Sequence, residues 1–188
     1  MNESEIKTFL KSMYSYVEST TLDEISDFCD YLKLSKGTEL IKAGKRHHFF
    51  YFIIQGSVKS YHLKEEKEIC TWFAFEKELV STIKTFEGHP SNETIKLLED
   101  SEFIRINTKA FKTLTESKIS INRVINELIT EHAIFLEDLL YLQSKSGKER
   151  YEYLIKTEPQ LIQRVSLTDL ASFLGMSRET LSRIRSKR

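Results

Sequence analysis

The sequence predicts an α+β fold: an N-terminal β-roll, jelly-roll-like, a double-stranded barrel with flanking helices, then a long helix and a small helical C-terminal module. Three features predict it. From Leu32 to about Asn107, glycines at 37, 44 and 56 punctuate short runs of β-branched and aromatic residues, the pattern of short strands joined by turns. Beyond it, Ile121, Ile125, Leu128, His132, Phe135, Leu139 and Leu142 recur at alternating spacings of 4 and 3, a heptad seam. The last 23 residues then place Gly175 between two short amphipathic segments, each opened by a serine.

Taken in order, residues up to about Val17 carry apolar groups at helical spacing. Thr21-Leu-Asp-Glu-Ile reads as the start of a second helix, with Thr21 as cap and Glu24 completing a capping box. The barrel is expected over about residues 33 to 107, its later strands supplied by TWFAFEKELV, ETIKLLEDS and EFIRIN. A short helix is expected around Lys109 to Leu114, followed by the long one. In the long helix a second stripe of Val124, Ile129, Leu136 and Leu140 would pack on the barrel, leaving the heptad seam free for a second copy of the chain. The competing reading is one broad stripe buried within a monomer. His132 on the seam reads as a register-setting polar group. Ser144-Lys-Ser-Gly is a polar break, and a further helix from Lys148 to Lys156 ends near Pro159. The expected division is 1–114 for the β-roll sensor, 115–143 for the dimerisation helix and 144–188 for the C-terminal helix pair.

With 40% hydrophobic and 30% charged residues and two prolines, the chain can bury a core and has no disordered signature. Charges interrupt every apolar stretch near the start, so neither a signal peptide nor a membrane anchor is expected, and the reading is cytoplasmic with no membrane partner. Cys29 and Cys70 belong to no CxxC pair and read as buried free thiols, and no metal site is expected. Net charge is zero, but its distribution is uneven: Gln143 to Arg188 holds ten Lys/Arg against five Asp/Glu, and the rest holds eighteen against twenty-three. A basic end on an acidic body is the electrostatic footprint of nucleic-acid binding.

The C-terminal segment is the most specific signal. Ser166 would cap a first helix with Asp169 at its third position, Leu167, Leu170, Ala171 and Leu174 would form its apolar face, and Gly175 permits a left-handed turn before Ser177 caps a second helix. In that second helix Leu181 and Ile184 can pin it down, while Arg178, Glu179, Ser182, Arg183 and Arg185 are left for a partner surface. A DNA major groove suits them: arginine donates two hydrogen bonds to guanine, glutamate accepts from cytosine, and Lys187 and Arg188 can neutralise phosphates. The candidate DNA-binding residues are Ser166, Thr168, Ser177, Arg178, Glu179, Thr180, Ser182, Arg183, Lys187 and Arg188.

Ser177-Arg-Glu-Thr-Leu-Ser-Arg-Ile resembles the start of the recognition helix of the Crp/Fnr superfamily of bacterial transcription regulators. Lys36-Gly37, Ala43-Gly44 and Tyr51-Phe-Ile-Ile-Gln-Gly-Ser-Val-Lys59 are similar to the opening strands of that family's cyclic-nucleotide-binding β-roll, so the resemblance spans nearly the whole chain. It implies a homodimer on a two-fold palindrome of double-stranded DNA, with Arg178, Glu179 and Arg183 as base readers, RNA polymerase as a further partner, and Ile121, Ile125, Leu128, His132, Phe135, Leu139 and Leu142 as the dimer interface. It also implies that an effector in the β-roll, or the dimer state alone, biases the long helix and hence the spacing of the two recognition helices.

The chain departs from the family at three places. Cyclic AMP binders use a cassette with glycine-glutamate and an arginine that clamps the phosphate; here the matching stretches are Phe75-Glu-Lys-Glu-Leu79 and Gly88-His-Pro-Ser-Asn-Glu-Thr94, and no arginine lies between Arg46 and Arg105. Tight cyclic AMP binding is therefore not expected, and an unidentified small effector would meet Phe75, Glu78, Leu79, Ser91 and Asn92. Two lone cysteines cannot build an iron–sulfur cluster, and haem would have to draw on His47, His48, His62 or His89, of which the adjacent pair reads as turn or surface residues. No cofactor is assigned. After the recognition helix no residues remain for the wing hairpin of many relatives, so each half-site is expected to bind modestly and to rely on dimerisation.

Two other classes compete. A cupin-like metalloenzyme needs an H-x-H arrangement with a carboxylate, but this chain has HH, and it has no nucleophile elbow, phosphate loop or dinucleotide fingerprint, so an enzyme is not expected. A β-roll ligand sensor acting through protein partners would use the C-terminal helices for docking, which the cluster of Arg178, Glu179 and Arg183 argues against.

Overall fold

The structure, a computed structural model, describes residues 1–117 and 119–186. In chain order the elements are α1 (Glu3–Met13), α2 (Ser19–Ser26), β1 (Cys29–Leu34), β2 (Glu39–Ile41), β3 (Phe49–Gln55), β4 (Val58–Lys64), β5 (Lys67–Ala74), β6 (Leu79–Val80), α3 (Ile83–Phe86), β7 (Thr94–Leu97), β8 (Ser101–Asn107), α4 (Thr108–Ser117), α5 (Ile119–Gln143), α6 (Gly147–Thr157), α7 (Pro159–Arg164), α8 (Leu167–Phe173) and α9 (Arg178–Ser186). The class is α+β, as the sequence predicts, with antiparallel strands between helical ends. By compactness the backbone divides into two units, Met1–Val58 with Ala74–Thr130 and Lys59–Phe73 with Glu131–Arg188. Unlike the expected boundaries at 114 and 143, this division groups the β4–β5 hairpin with the C-terminal helices.

In the first unit, β1, β8, β3 and β6 form one sheet, with Tyr31 and Phe52 flanking Ile104 on either side, and β2 pairs separately with β7. The run FFYFIIQ forms β3 because both of its faces are buried, so it shows no polar alternation. Phe50 and Phe52 meet Ile104 and Ile106 in a core that also holds Ile6 and Leu10 of α1, Leu22 and Ile25 of α2, Phe111 and Leu114 of α4, and Ile121 and Val124 of α5. Burying each such side chain contributes about 1.5–3 kcal/mol.

Several boundaries differ from expectation for local reasons. Asn2 and Glu5 form the capping box of α1, with Asn2 Oδ1 accepting from Glu5 N–H at 3.0 Å and Glu5 Oε2 from Asn2 N–H at 2.7 Å, and the helix ends at Met13, short of Val17. Thr21 does not cap α2. The helix begins at Ser19 without a side-chain cap, and Thr21 lies inside it, buried against the core. The strands begin at Cys29, four residues before the expected start, because Cys29 and Tyr31 pair with β8 despite the intervening aspartate.

The expected seam of α5 faces inward over the N-terminal half of the helix, and the second stripe is exposed beyond Val124. Ile121 is fully buried, and Ile125 and Leu128 pack against the first unit's own core, so these three members of the expected dimer seam face inward. Leu142 is buried and Phe135 and Leu139 are half-buried, while His132 is exposed with its ring 6.4 Å from that of Phe135. Ile129, Leu136 and Leu140, expected to pack on the barrel, are exposed instead, Leu140 by 67%; Val124 of that stripe is buried. The spacing defines two adjacent apolar stripes, and only the position of α4 and the sheet decides which of them is covered.

In the second unit, β4 and β5 are joined by Glu65 and Glu66, whose φ values of 50° and 64° make a two-residue turn in the left-handed region. Ser146 and Glu149 form a capping box for α6. Pro159, expected only to mark a helix end, opens α7 as its first residue, where its missing N–H costs nothing.

Candidate nucleic-acid interface

The C-terminal helix pair is built as its sequence suggests. Ser166 Oγ accepts from Asp169 N–H at 3.1 Å and donates to Asp169 Oδ2 at 2.8 Å, closing the start of α8. Gly175, at φ 64°, turns the chain while its N–H donates to the Ser172 carbonyl and the Met176 N–H to that of Ala171. Ser177 Oγ then accepts from Thr180 N–H at 3.1 Å, opening α9. Leu170, Ala171, Leu174 and Leu181 are buried between the two helices, which fixes how α9 is rolled.

With Leu181 inward, Arg178, Glu179, Ser182, Arg183 and Arg185 are exposed, and Thr180 is half-buried with its hydroxyl 3.0 Å from that of Ser177. The Glu179 carboxyl is held below the usual range by its own backbone N–H, by the Ser177 hydroxyl and by the charges of Arg178 and Arg183. It therefore stays an acceptor at neutral pH beside two guanidinium donors, an arrangement suited to reading the hydrogen-bonding edges of base pairs. Ser166 and Thr168 are exposed at the start of α8, the former with its hydroxyl committed to the cap. Lys187 and Arg188 lie outside the described residues.

A feature that the sequence reading missed lies on the opposite face of α8. The Lys59 ammonium of β4, with its side chain 9% exposed, donates to Asp169 Oδ1 and to Glu68 Oε2 of β5, both at 2.6 Å. One turn later, Ser172 Oγ donates to the Glu68 carbonyl and accepts from the Cys70 N–H, each at 3.0 Å, and the Phe73 and Phe173 rings meet edge-on. Burial penalises both charges of the Lys59–Asp169 pair, but their mutual hydrogen bond prevails: Lys59 is raised above the usual lysine range and Asp169 lowered below the usual aspartate range. The contribution of Asp169 is thus lost only as pH falls through its depressed value, and that of Lys59 only as pH rises through its elevated one, so the group persists across neutral pH. Burial, followed by Asp169, pushes the Cys70 thiol up to about 11, and burial pushes Cys29 up to about 12. Both are protonated at neutral pH and poorly nucleophilic.

The expected effector residues are engaged locally. Phe75 is buried, its N–H donating to Glu78 Oε2 at 3.0 Å, and Leu79 packs against the first unit's core. Ser91, also buried, folds its hydroxyl onto the Glu93 backbone, and Asn92 Oδ1 accepts from Lys84 Nζ at 2.9 Å. His47 accepts the Lys42 N–H in a loop, and His48, His62 and His89 are exposed. Among the described residues no three His, Cys, Asp or Glu side chains converge as metal ligands, and no helix is long and apolar enough to cross a membrane.

Comparison with known proteins matches residues 31–118 to the cyclic nucleotide-binding domain family. The chain is 26% identical to the fumarate and nitrate reduction regulatory protein of Vibrio cholerae, covering 89% of this chain and 72% of that protein. Among solved structures it resembles FixK2 of Bradyrhizobium japonicum, with a TM-score of 0.75 at 17% identity over 85% of this chain and 83% of that one. It also resembles the c-di-GMP-responsive global regulator CLP of Xanthomonas campestris, with a TM-score of 0.71 at 19% identity over 90% and 91%.

Proposed function

We propose that the chain is a DNA-binding transcription regulator of the Crp/Fnr type and reads a two-fold-symmetric DNA site as a homodimer, with α9 in the major groove, a reading supported by its likeness to a fumarate and nitrate reduction regulatory protein and by its cyclic nucleotide-binding domain. The observation that carries this reading is the exposed cluster of Arg178, Glu179, Ser182 and Arg183 on a helix pinned from behind by Leu181. Arg178 and Arg183 donate to guanine edges, Glu179 accepts from a cytosine amino group, and the hydroxyls of Thr168 and Ser177 meet phosphates. Residues 1–114 serve as the sensor, 115–143 as the dimerisation helix and 144–188 as the DNA-binding part. The protein acts in the cytoplasm, and as a regulator rather than an enzyme. With no arginine between Arg46 and Arg105, a cyclic phosphate would lack its guanidinium partner, so cyclic AMP is not the effector in this reading.

The dimer seam in this reading is the exposed stripe of Ile129, Ala133, Leu136 and Leu140, which repeats at spacings of 4, 3 and 4. Introducing Leu136→Glu together with Leu140→Glu places four like charges at the joint of two copies. In sedimentation the variant is expected to run as a monomer, with DNA affinity reduced by about 100-fold or more through loss of the linked second half-site. A variant that remains dimeric would contradict this seam.

A further inference from the structure

The contacts behind α8 form a second, independent constraint on the helix pair. Asp169, Ser172 and Phe173 lie on one face of α8, and Leu170, Ala171 and Leu174 on the face that meets α9. The first face meets the β4–β5 hairpin through Lys59, Glu68, Cys70 and Phe73. Its geometry is specific to register. Glu68 and Cys70 are two residues apart on the edge strand β5, so the carbonyl of one and the N–H of the other point the same way, and the single hydroxyl of Ser172 satisfies both. Sliding the hairpin by one residue would turn those groups away and separate Lys59 from Asp169. Asp169 is shared: one carboxylate oxygen completes the α8 cap with Ser166 while the other takes the Lys59 ammonium, so the start of the helix and the hairpin cannot move independently.

We propose that the β4–β5 hairpin is the positioning element of the helix-turn-helix, with Lys59 and Glu68 holding Asp169, and through it α8 and α9, in the pose from which the arginines read DNA. This rests on the DNA-binding reading above. Lys59 and Glu68 touch no base; they act through Asp169. A ligand or strain that displaced the hairpin would release the recognition helix without any change in α9 itself.

Cys70 supplies a readout that needs no DNA, because its side chain is buried where the hairpin meets α8. In the full-length protein carrying Cys29→Ser, iodoacetamide labelling of Cys70 at pH 8 is compared among the parent, Lys59→Met and Ser172→Ala. Ser172→Ala removes two hydrogen bonds and leaves no unpaired charge, so it keeps the test alive if Lys59→Met fails to fold. Removing the Lys59 cation alone makes the thiol harder to ionise, so faster labelling can come only from exposure. The proposal expects labelling to accelerate at least about tenfold in both variants. Affinity for a duplex recovered by selection on the parent protein should fall at least about tenfold with it. Unchanged labelling in the folded variants would show that these residues do not hold the hairpin, and faster labelling with unchanged affinity would show that the hairpin does not position the reading helix; either overturns the proposal. A parent protein that selects no duplex removes the DNA-binding reading and the positioning role with it, while the labelling ratio still reports whether the hairpin is held.

Discussion

Replacing Gly56 with alanine is expected to cost the protein about 3 kcal/mol or more, enough to lower the thermal midpoint by about 10 °C for a chain of this length. Gly56 joins β3 to β4 at a φ of 111°, a conformation that side-chain-bearing residues rarely adopt. A Cβ there would overlap Ser101 Oγ and sit 2.9 Å from the Ser101 Cα, so rotating a side chain cannot relieve the clash and the backbone of β8 must move. The surroundings resist that movement. Gly56 N–H donates to Glu76 Oε1 at 2.9 Å, Ser57 Oγ donates to Glu99 Oε1 at 2.6 Å, and the Ser57 carbonyl accepts from Leu98 N–H. The strain of the dihedral and the cost of overpacking therefore add, against a total stability of about 5–15 kcal/mol for a typical native protein. Thermal unfolding followed by circular dichroism checks this, and a midpoint within about 2 °C of the parent would contradict it.

Arg183→Ala is expected to leave the fold intact and to remove about 1–3 kcal/mol of DNA binding per half-site, or about 2–6 kcal/mol for both half-sites of a dimer. Arg183 is exposed, its Nε–H donating to the Glu179 carbonyl at 3.4 Å, so its loss opens no cavity and orphans no buried group among the described residues. Base reading, unlike phosphate contact, also predicts a change in pattern: Arg183→Ala should relax the preference at one base pair in each half-site, and Glu179→Ala should relax a different one. Competition binding at fixed salt, with each position of the site varied in turn, separates the two. Uniform weakening on all sequences would assign Arg183 to phosphates instead.

The strands, the long helix and the helix-turn-helix were legible because each rests on local pattern. Alternation and aromatic runs mark strands, and the Ser166, Gly175 and Ser177 positions mark two caps and a turn, all within a few residues of one another. What escaped depends on distance. Nothing in the spacing of α5 decides whether Ile121 or Leu140 is covered, since that is set by α4 and the sheet. The β4–β5 turn carries Glu65 and Glu66 where asparagine and glycine would announce it, so it reads as a run of charge. The Lys59–Glu68–Asp169 group joins residues 110 positions apart, and Asp169 already had a sufficient local explanation as a helix-capping residue. A lysine in an opening strand gives no sign that its ammonium is buried until its partners are known.

The central claim is most directly tested by selecting binding sites for the purified protein from a randomised duplex library at near-physiological salt. The account predicts enrichment of a palindrome with G·C pairs in each half-site and half-site centres about one helical turn apart. Recovery of no sequence above background, with the protein folded and dimeric, would contradict it.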